Sequence, residues 1–179
     1  AECIKRSKEI KYSIYRKSFN PETMQFGPRE MVFDAASLGK SATLPRISPD
    51  GKYLLFSMGE WGCFHIWHRD ADLYMLRLAD NKVWPLTKTN SPQAESFHNF
   101  SSNGKWIIFS SRRNDGDYTR LFFAHVDADG NTTKAFELPQ QDPDFHRMFM
   151  KSYNIPEFMR GPVTIKPQEF ADVLRNDNI

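Results

Sequence analysis

Three histidines, His65, His68 and His98, are the side chains best suited to bind a metal or move a proton, and two of them stand three apart in His65-Ile66-Trp67-His68. On a strand, residues three apart face opposite sides, so the spacing predicts that His65 and His68 diverge and hold no common ion. Asp127-Ala128-Asp129-Gly130-Asn131 begins like a calcium loop, with oxygens at its first, third and fifth positions. That loop form needs Gly sixth and an acidic residue twelfth, where Thr132 and Leu138 stand, so a hairpin turn is expected instead. There is no Gly-x-Ser-x-Gly elbow and no Walker loop. The expectation is therefore no catalytic residue, no cofactor and no metal: not an enzyme. The residue types that remain suit recognition. Arg112-Arg113-Asn114-Asp115-Gly116-Asp117 is a dense charged loop, and Trp61, Phe64 and Trp67 cluster beside glycines. Arg112, Arg113 and Asp115, with Trp61 and Trp67 as apolar anchors, are the candidate partner-binding residues. The competing structural readings are a solvated turn with local ion pairs and ordinary packing of aromatics.

The elements that must position these residues are strands. Ile47-Ser48-Pro49-Asp50-Gly51 carries strong turn chemistry: Pro presets φ, Asp bonds its own backbone and Gly supplies φ > 0. Tyr53 to Phe56 is then a short apolar run suited to a strand covered on both faces. The pattern returns 53 residues on, Asp50-Gly51 matching Asn103-Gly104 and Leu54-Leu55-Phe56-Ser57 matching Ile107-Ile108-Phe109-Ser110. Asp72 to Leu78 alternates, Asp80-Asn81 turns, and Lys82 to Leu86 returns; Tyr118 to Val126 and Thr132 to Leu138 repeat that order. The boundaries read from this are 1–43, the outer strands of an incomplete blade; 44–95, a first complete blade; 96–139, a second; and 140–179, an irregular strap. Its helices are placed over Asp142–Ser152 and Gln168–Leu174. A four-stranded unit recurring at about 50 residues predicts all-β propeller-type blades, each exposing a face that only a neighbour can bury.

Composition narrows the partners. Of 179 residues 40% are hydrophobic and 14% aromatic, with 15 Phe, which favours packed strands. Lys and Arg number 24 against 22 Asp and Glu, so the net charge of +2 offers no broad field for nucleic acid. No apolar run reaches the roughly 20 residues that span a bilayer. Cys3 and Cys63 allow one disulfide or two separate thiols, and their spacing decides neither. The chain opens on Ala1 without Met, as a trimmed product with its export signal removed would.

The string Pro45-Arg46-Ile47-Ser48-Pro49-Asp50-Gly51-Lys52-Tyr53-Leu54-Leu55-Phe56-Ser57, with Asp72-Leu73-Tyr74 and Pro85-Leu86-Thr87, resembles the WD40-like (PD40) repeat of TolB-type β-propellers. The second copy departs from it, with Ser101-Ser102-Asn103-Gly104 and Thr119-Arg120-Leu121 in the matching places. The segment from Asp142 to Val163 is similar to the end of exported propeller proteins of Bacteroidetes-type bacteria. The resemblance implies a non-catalytic protein-binding or scaffolding module in the periplasm or otherwise exported. Its competitor is the accessory propeller portion of an exported peptidase whose catalytic domain is absent. Two and a half blades fall short of the usual 4 to 8 or so in closed propellers, so self-association through exposed blade faces is expected as well.

Overall fold

The computed structural model describes residues 5–176. Strands β1 (Ile14–Arg16), β2 (Phe19–Asn20), β3 (Gln25–Phe26) and β4 (Glu30–Phe33) come first, β1 pairing antiparallel with β4 while β2 and β3 make a small hairpin between them. Strands β5 (Ser41–Ile47), β6 (Tyr53–Gly59), β7 (Asp72–Arg77) and β8 (Lys82–Pro85) then form a four-stranded meander in chain order. A second such sheet holds β9 (Glu95–Phe100), β10 (Trp106–Ser111), β11 (Arg120–His125) and β12 (Phe136–Glu137). The protein is all-β, built of propeller-type antiparallel blades with a partly helical tail.

The turn that opens each blade explains the repeat in bonds. Asp50 Oδ1 accepts from Ser48 Oγ at 2.7 Å and from the Lys52 amide at 3.1 Å, and Gly51 takes φ 72°. Asn103 Oδ1 accepts from Ser101 Oγ at 2.8 Å and from the Lys105 amide at 3.0 Å, with Gly104 at φ 69°. Asp and Asn serve alike because only a carbonyl-type oxygen is needed.

Beyond each turn the strand alternation divides the core. Tyr53 and Leu55 of β6, with Leu73 and Met75 of β7, pack against Phe100, Ile107, Phe109 and Phe122 of the second blade. Leu54, Phe56 and Met58, with Leu76, face the other way onto Ile14, Ala35 and Ala42. Both faces of β6 are thus buried, as its unbroken apolar run requires.

The strands before the first four-stranded sheet meet it through a bond that recurs one repeat later. The Ala42 amide donates to the Tyr12 carbonyl at 2.8 Å, just as the Glu95 amide donates to Ala71 at 2.8 Å. Ala42 and Glu95 are themselves 53 apart (95 − 42), so Tyr12, leading into β1, stands where Ala71, leading into β7, stands one blade later.

After Pro139 the chain lies on the second blade. Ser110 Oγ donates to the Asn154 carbonyl, the Tyr153 amide to Thr119, and Phe158 meets Phe123 at 6.0 Å. Arg120, almost wholly buried, donates to the carbonyls of Lys151 at 2.6 Å, Phe149 at 2.8 Å and His146 at 3.0 Å. The helix expected over Asp142–Ser152 shortens to one turn, α1 (Phe145–Met148), because those carbonyls are drawn to Arg120 rather than to helix amides. The last helix, α2 (Pro167–Asn176), opens at Pro167, where a missing amide costs nothing.

Candidate functional site

At one end of the two complete blades three connections meet: 60–71 after β6, 86–94 between the blades and 112–119 after β10. They are sewn together by main-chain and side-chain bonds. The Arg112 amide reaches the Ala94 carbonyl at 3.3 Å, and Arg69 Nε reaches the Pro92 carbonyl at 3.1 Å. The opposite end carries the tight turns 48–52, 101–105 and 127–131.

Beneath the loop end sits a buried ion pair. Glu95 is fully buried and accepts from Ser91 Oγ at 2.5 Å, Ser111 Oγ at 2.8 Å and Arg113 Nη2 at 2.9 Å. Burial outweighs these donors and holds the Glu95 carboxyl above its ordinary range. Arg113 also donates to the Thr89 carbonyl at 2.7 Å and lies 4.5 Å from the centre of the Phe122 ring. It is held below its ordinary range by the same desolvation. The pair ties Thr89 and Ser91, in the middle of the 86–94 connection, to the second blade.

A second buried layer holds the histidines. Here the sequence reading is corrected: His65 and His68 do not diverge. His65–Trp67 form a turn of 3-10 helix, in which residues three apart eclipse, and the two rings lie 5.5 Å apart. His65 shares a 3.0 Å hydrogen bond with Thr43 Oγ1 through Nδ1, and its Nε2 is buried without a partner. His98 donates from Nε2 to the Leu44 carbonyl at 2.7 Å, leaving Nδ1 unpartnered. Burial pushes both imidazoles down to about 4. Among the described residues no group of His, Cys, Asp and Glu is arranged to hold a metal ion. Cys63 is exposed, and Cys3, the other cysteine, lies outside the described residues.

The five residues singled out by charge and aromatic density all lie at this end, in different roles. Trp67 is 69% exposed, and the guanidinium of Arg112 lies 4.4 Å from its ring centre, joining the long loops of the two blades. Phe64, the third aromatic of that cluster, is 67% exposed, and its carbonyl accepts from the Trp67 amide at 2.9 Å. Arg113 is turned inward to Glu95, its side chain 17% exposed. Trp61 is half-buried against the His68 ring at 4.2 Å. Asp115 accepts from the Asp117 and Tyr118 amides, both at 2.8 Å, and so shapes its own loop. Glu95 was missed because nothing local distinguishes it; its partner Arg113 is 18 residues away.

A cleft of about 450 Å³ opens at the opposite end, between Lys52, Lys105 and His125, over Tyr53 and Phe100. Its acidic groups are occupied by their own turns, Asp50 as above and Asp127 by the amides of Asp129 and Asn131. Among the described residues, no helix is long and apolar enough to cross a membrane.

No protein-family model matches the chain, and no curated protein matches it. Among solved structures it is similar to TolB from Acinetobacter baumannii, at 21% identity and TM-score 0.43, over 68% of this chain and 29% of that one. It is also similar to a prolyl endopeptidase from a study of two such enzymes, at 13% identity and TM-score 0.30, over 72% and 27%. The chain spans 29% and 27% of the lengths of these proteins. The propeller architecture rests on the sheets themselves.

Proposed function

We propose that this chain is a non-catalytic protein-binding module of an exported or envelope protein, and that it docks its partner on the loop end of its two complete blades. The observation that carries this reading is the exposed Trp67–Arg112 pair, standing on the buried Glu95–Arg113 pair beneath it. Aromatic and Arg side chains held rigidly at a surface are the usual centres of protein recognition. Phe64 extends the contact face, while Arg113, Asp115 and Trp61 hold the loops that present it. The Ser-Pro-Asp-Gly repeat and the sequence of the tail support an origin among WD40-like (PD40) propellers of exported bacterial proteins. The experiment is capture of partners from the cell-envelope fraction of the source organism by wild-type protein and by Trp67→Ala and Arg112→Ala. Loss of the same partner from both variants, at unchanged melting temperature, is the expected outcome. Equal capture by all three proteins overturns the reading.

A further inference from the structure

An aromatic contact recurs in the two four-stranded sheets, and half of it stands alone on β1. Phe56 of β6 is paired with Tyr74 of β7 and stacks on it at 5.9 Å. Phe109 of β10 is paired with Phe122 of β11 and stacks at 6.0 Å. The carbonyls of Tyr12, Ala71 and Thr119 all take the recurring amide, from Ala42, Glu95 and Tyr153. Three residues beyond them stand Tyr15, Tyr74 and Phe122. Strands β7 and β11 are paired on both edges, whereas β1 pairs with β4 alone among the described residues. Tyr15 is accordingly 42% exposed, with the Arg29 guanidinium over one face of its ring at 4.6 Å. The neighbouring strand repeats the contrast. Pro45 and Ile47 of β5 stand 53 residues before His98 and Phe100 of β9. His98 and Phe100 are buried, Phe100 in one cluster with Tyr53 and Leu55 of β6. Pro45 is exposed, and Ile47 is 63% exposed. Between β1 and β5 opens a groove of about 260 Å³, whose lining includes Tyr12, Ile14, Tyr15, Ala42, Thr43 and Pro45.

We infer that this groove takes a single extended apolar strand from outside the chain, paired antiparallel along the free edge of β1 as β6 pairs along β7. The two filled copies describe that strand as Leu54-Leu55-Phe56-Ser57 and Ile107-Ile108-Phe109-Ser110. Its Phe lies beside Tyr15, and the residue before it turns the other way, onto Ile14 and Ala42. Ser57 Oγ donates to the Glu95 carbonyl at 3.0 Å, and Ser110 Oγ to the Asn154 carbonyl at 3.3 Å. The carbonyl that matches Glu95 is that of Ala42, so the strand carries Ser or Thr after its Phe. Main-chain pairing on an open edge supplies affinity, and alternate side chains supply selectivity. A charged strand would bury its charge on Ile14 and Ala42, which are themselves nearly buried. None of these side chains takes part in the Trp67–Arg112 pair, so the groove stands independently of the loop-end surface.

A fluorescent peptide copying Lys105–Ser111, titrated into the full chain, tests this by anisotropy and by amide chemical shifts. Saturable binding is expected, with shifts confined to residues 12–16 and 42–47. A strand paired on one edge uses only every second amide. N-methylation of the peptide at Ile107 and Phe109, or at Ile108 and Ser110, should therefore abolish binding in one pattern and spare it in the other. Tyr15→Ser in the chain should weaken binding roughly tenfold at unchanged melting temperature, and Ser110→Ala in the peptide roughly fivefold. Absent binding, equal binding of a scrambled peptide, an equal response to the two methylation patterns, full affinity for Tyr15→Ser, or shifts elsewhere in the chain overturns the inference. A chain that is dimeric through residues 12–16 and 42–47, and that no peptide dissociates, overturns it in favour of a second copy.

Discussion

The two ends of the blades solve the same problem, turning a strand back on its neighbour, in opposite ways. At the turn end each reversal is closed by bonds within a few residues: Ser48 to Asp50, Ser101 to Asn103, and Asp127 to the Asn131 amide. Its ion pairs, Arg77–Asp80 and Lys52–Asp50, lie in water. At the loop end the bonds run between distant segments: Glu95 to Arg113, Ser57 Oγ to the Glu95 carbonyl, Thr43 to His65, and Arg69 to Pro92. The polar groups there are buried, and several are left without partners. The turn end is therefore an autonomous closure, whereas the loop end exists only once both blades have packed. The proposed docking surface lies where the chain has long loops to vary and a buried polar layer to stiffen them.

If the ends differ in this way, the largest effect of any charge removal belongs to the loop end. Glu95→Ala leaves Arg113 partly buried without its anion and is expected to cost about 3 kcal/mol or more in denaturant unfolding. Glu95→Leu combined with Arg113→Met should recover most of that loss, since an apolar pair of similar size removes both desolvation costs. A double variant no better than Glu95→Ala would mean that the carboxylate mainly organises Ser91 and Ser111.

The tail belongs with the loop end in depending on long-range bonds. Arg120→Leu removes the three strap carbonyls from their donor and is expected to cost about 2 to 3 kcal/mol, less than a rigid core site because the freed strap can reach water. Hydrogen exchange should show residues 142–158 opening while the first blade stays protected. Protection unchanged throughout would mean that the strap is held by Phe158 and Asn154 instead.

The histidine layer makes the loop end sensitive to acid. His65 and His98 titrate at about 4 when folded, because they are buried, against about 6.5 in the unfolded chain. Between these values the unfolded chain binds more protons. Their contribution is therefore complete above pH 6.5 or so and is lost as the pH falls toward 4, by about 1.4 kcal/mol per pH unit for each imidazole. Urea midpoints measured across this window should fall in wild type and fall less steeply in His98→Gln. Parallel profiles would place the acid sensitivity elsewhere.

Smaller effects are expected at the turn end. Gly51→Val and Gly104→Val meet no clash at Gly51 and only Pro49 at Gly104, so each should cost the φ > 0 penalty alone, about 1 to 3 kcal/mol, and nearly the same amount. Clearly unequal costs would show that the two turns are not equivalent. Smallest of all, Arg77→Ala should leave the melting temperature within error, because both side chains of the pair reach solvent, which screens it. A loss comparable to Glu95→Ala would erase the distinction between the ends.

What the amino-acid order determined by itself was whatever closes locally. The Ser-Pro-Asp-Gly turn, its Ser-Ser-Asn-Gly copy, the apolar run of β6 and the alternation of β7 are each complete within about ten residues, and the blades follow from them. Charge and aromatic density likewise brought Trp61, Trp67, Arg112, Arg113 and Asp115 to notice. Tertiary structure alone decided their roles: Arg112 faces out on Trp67, while Arg113, its neighbour, is drawn in by Glu95. It also decided that His65 and His68 converge, since a single 3-10 turn replaces the strand that their surroundings suggested, and that Arg120 would unwind a helix to gather its carbonyls. The physical reason is one of range. A turn bond is formed by neighbours in any context, but a buried charge chooses its partner only after packing has excluded water, and by then that partner can lie anywhere in the chain.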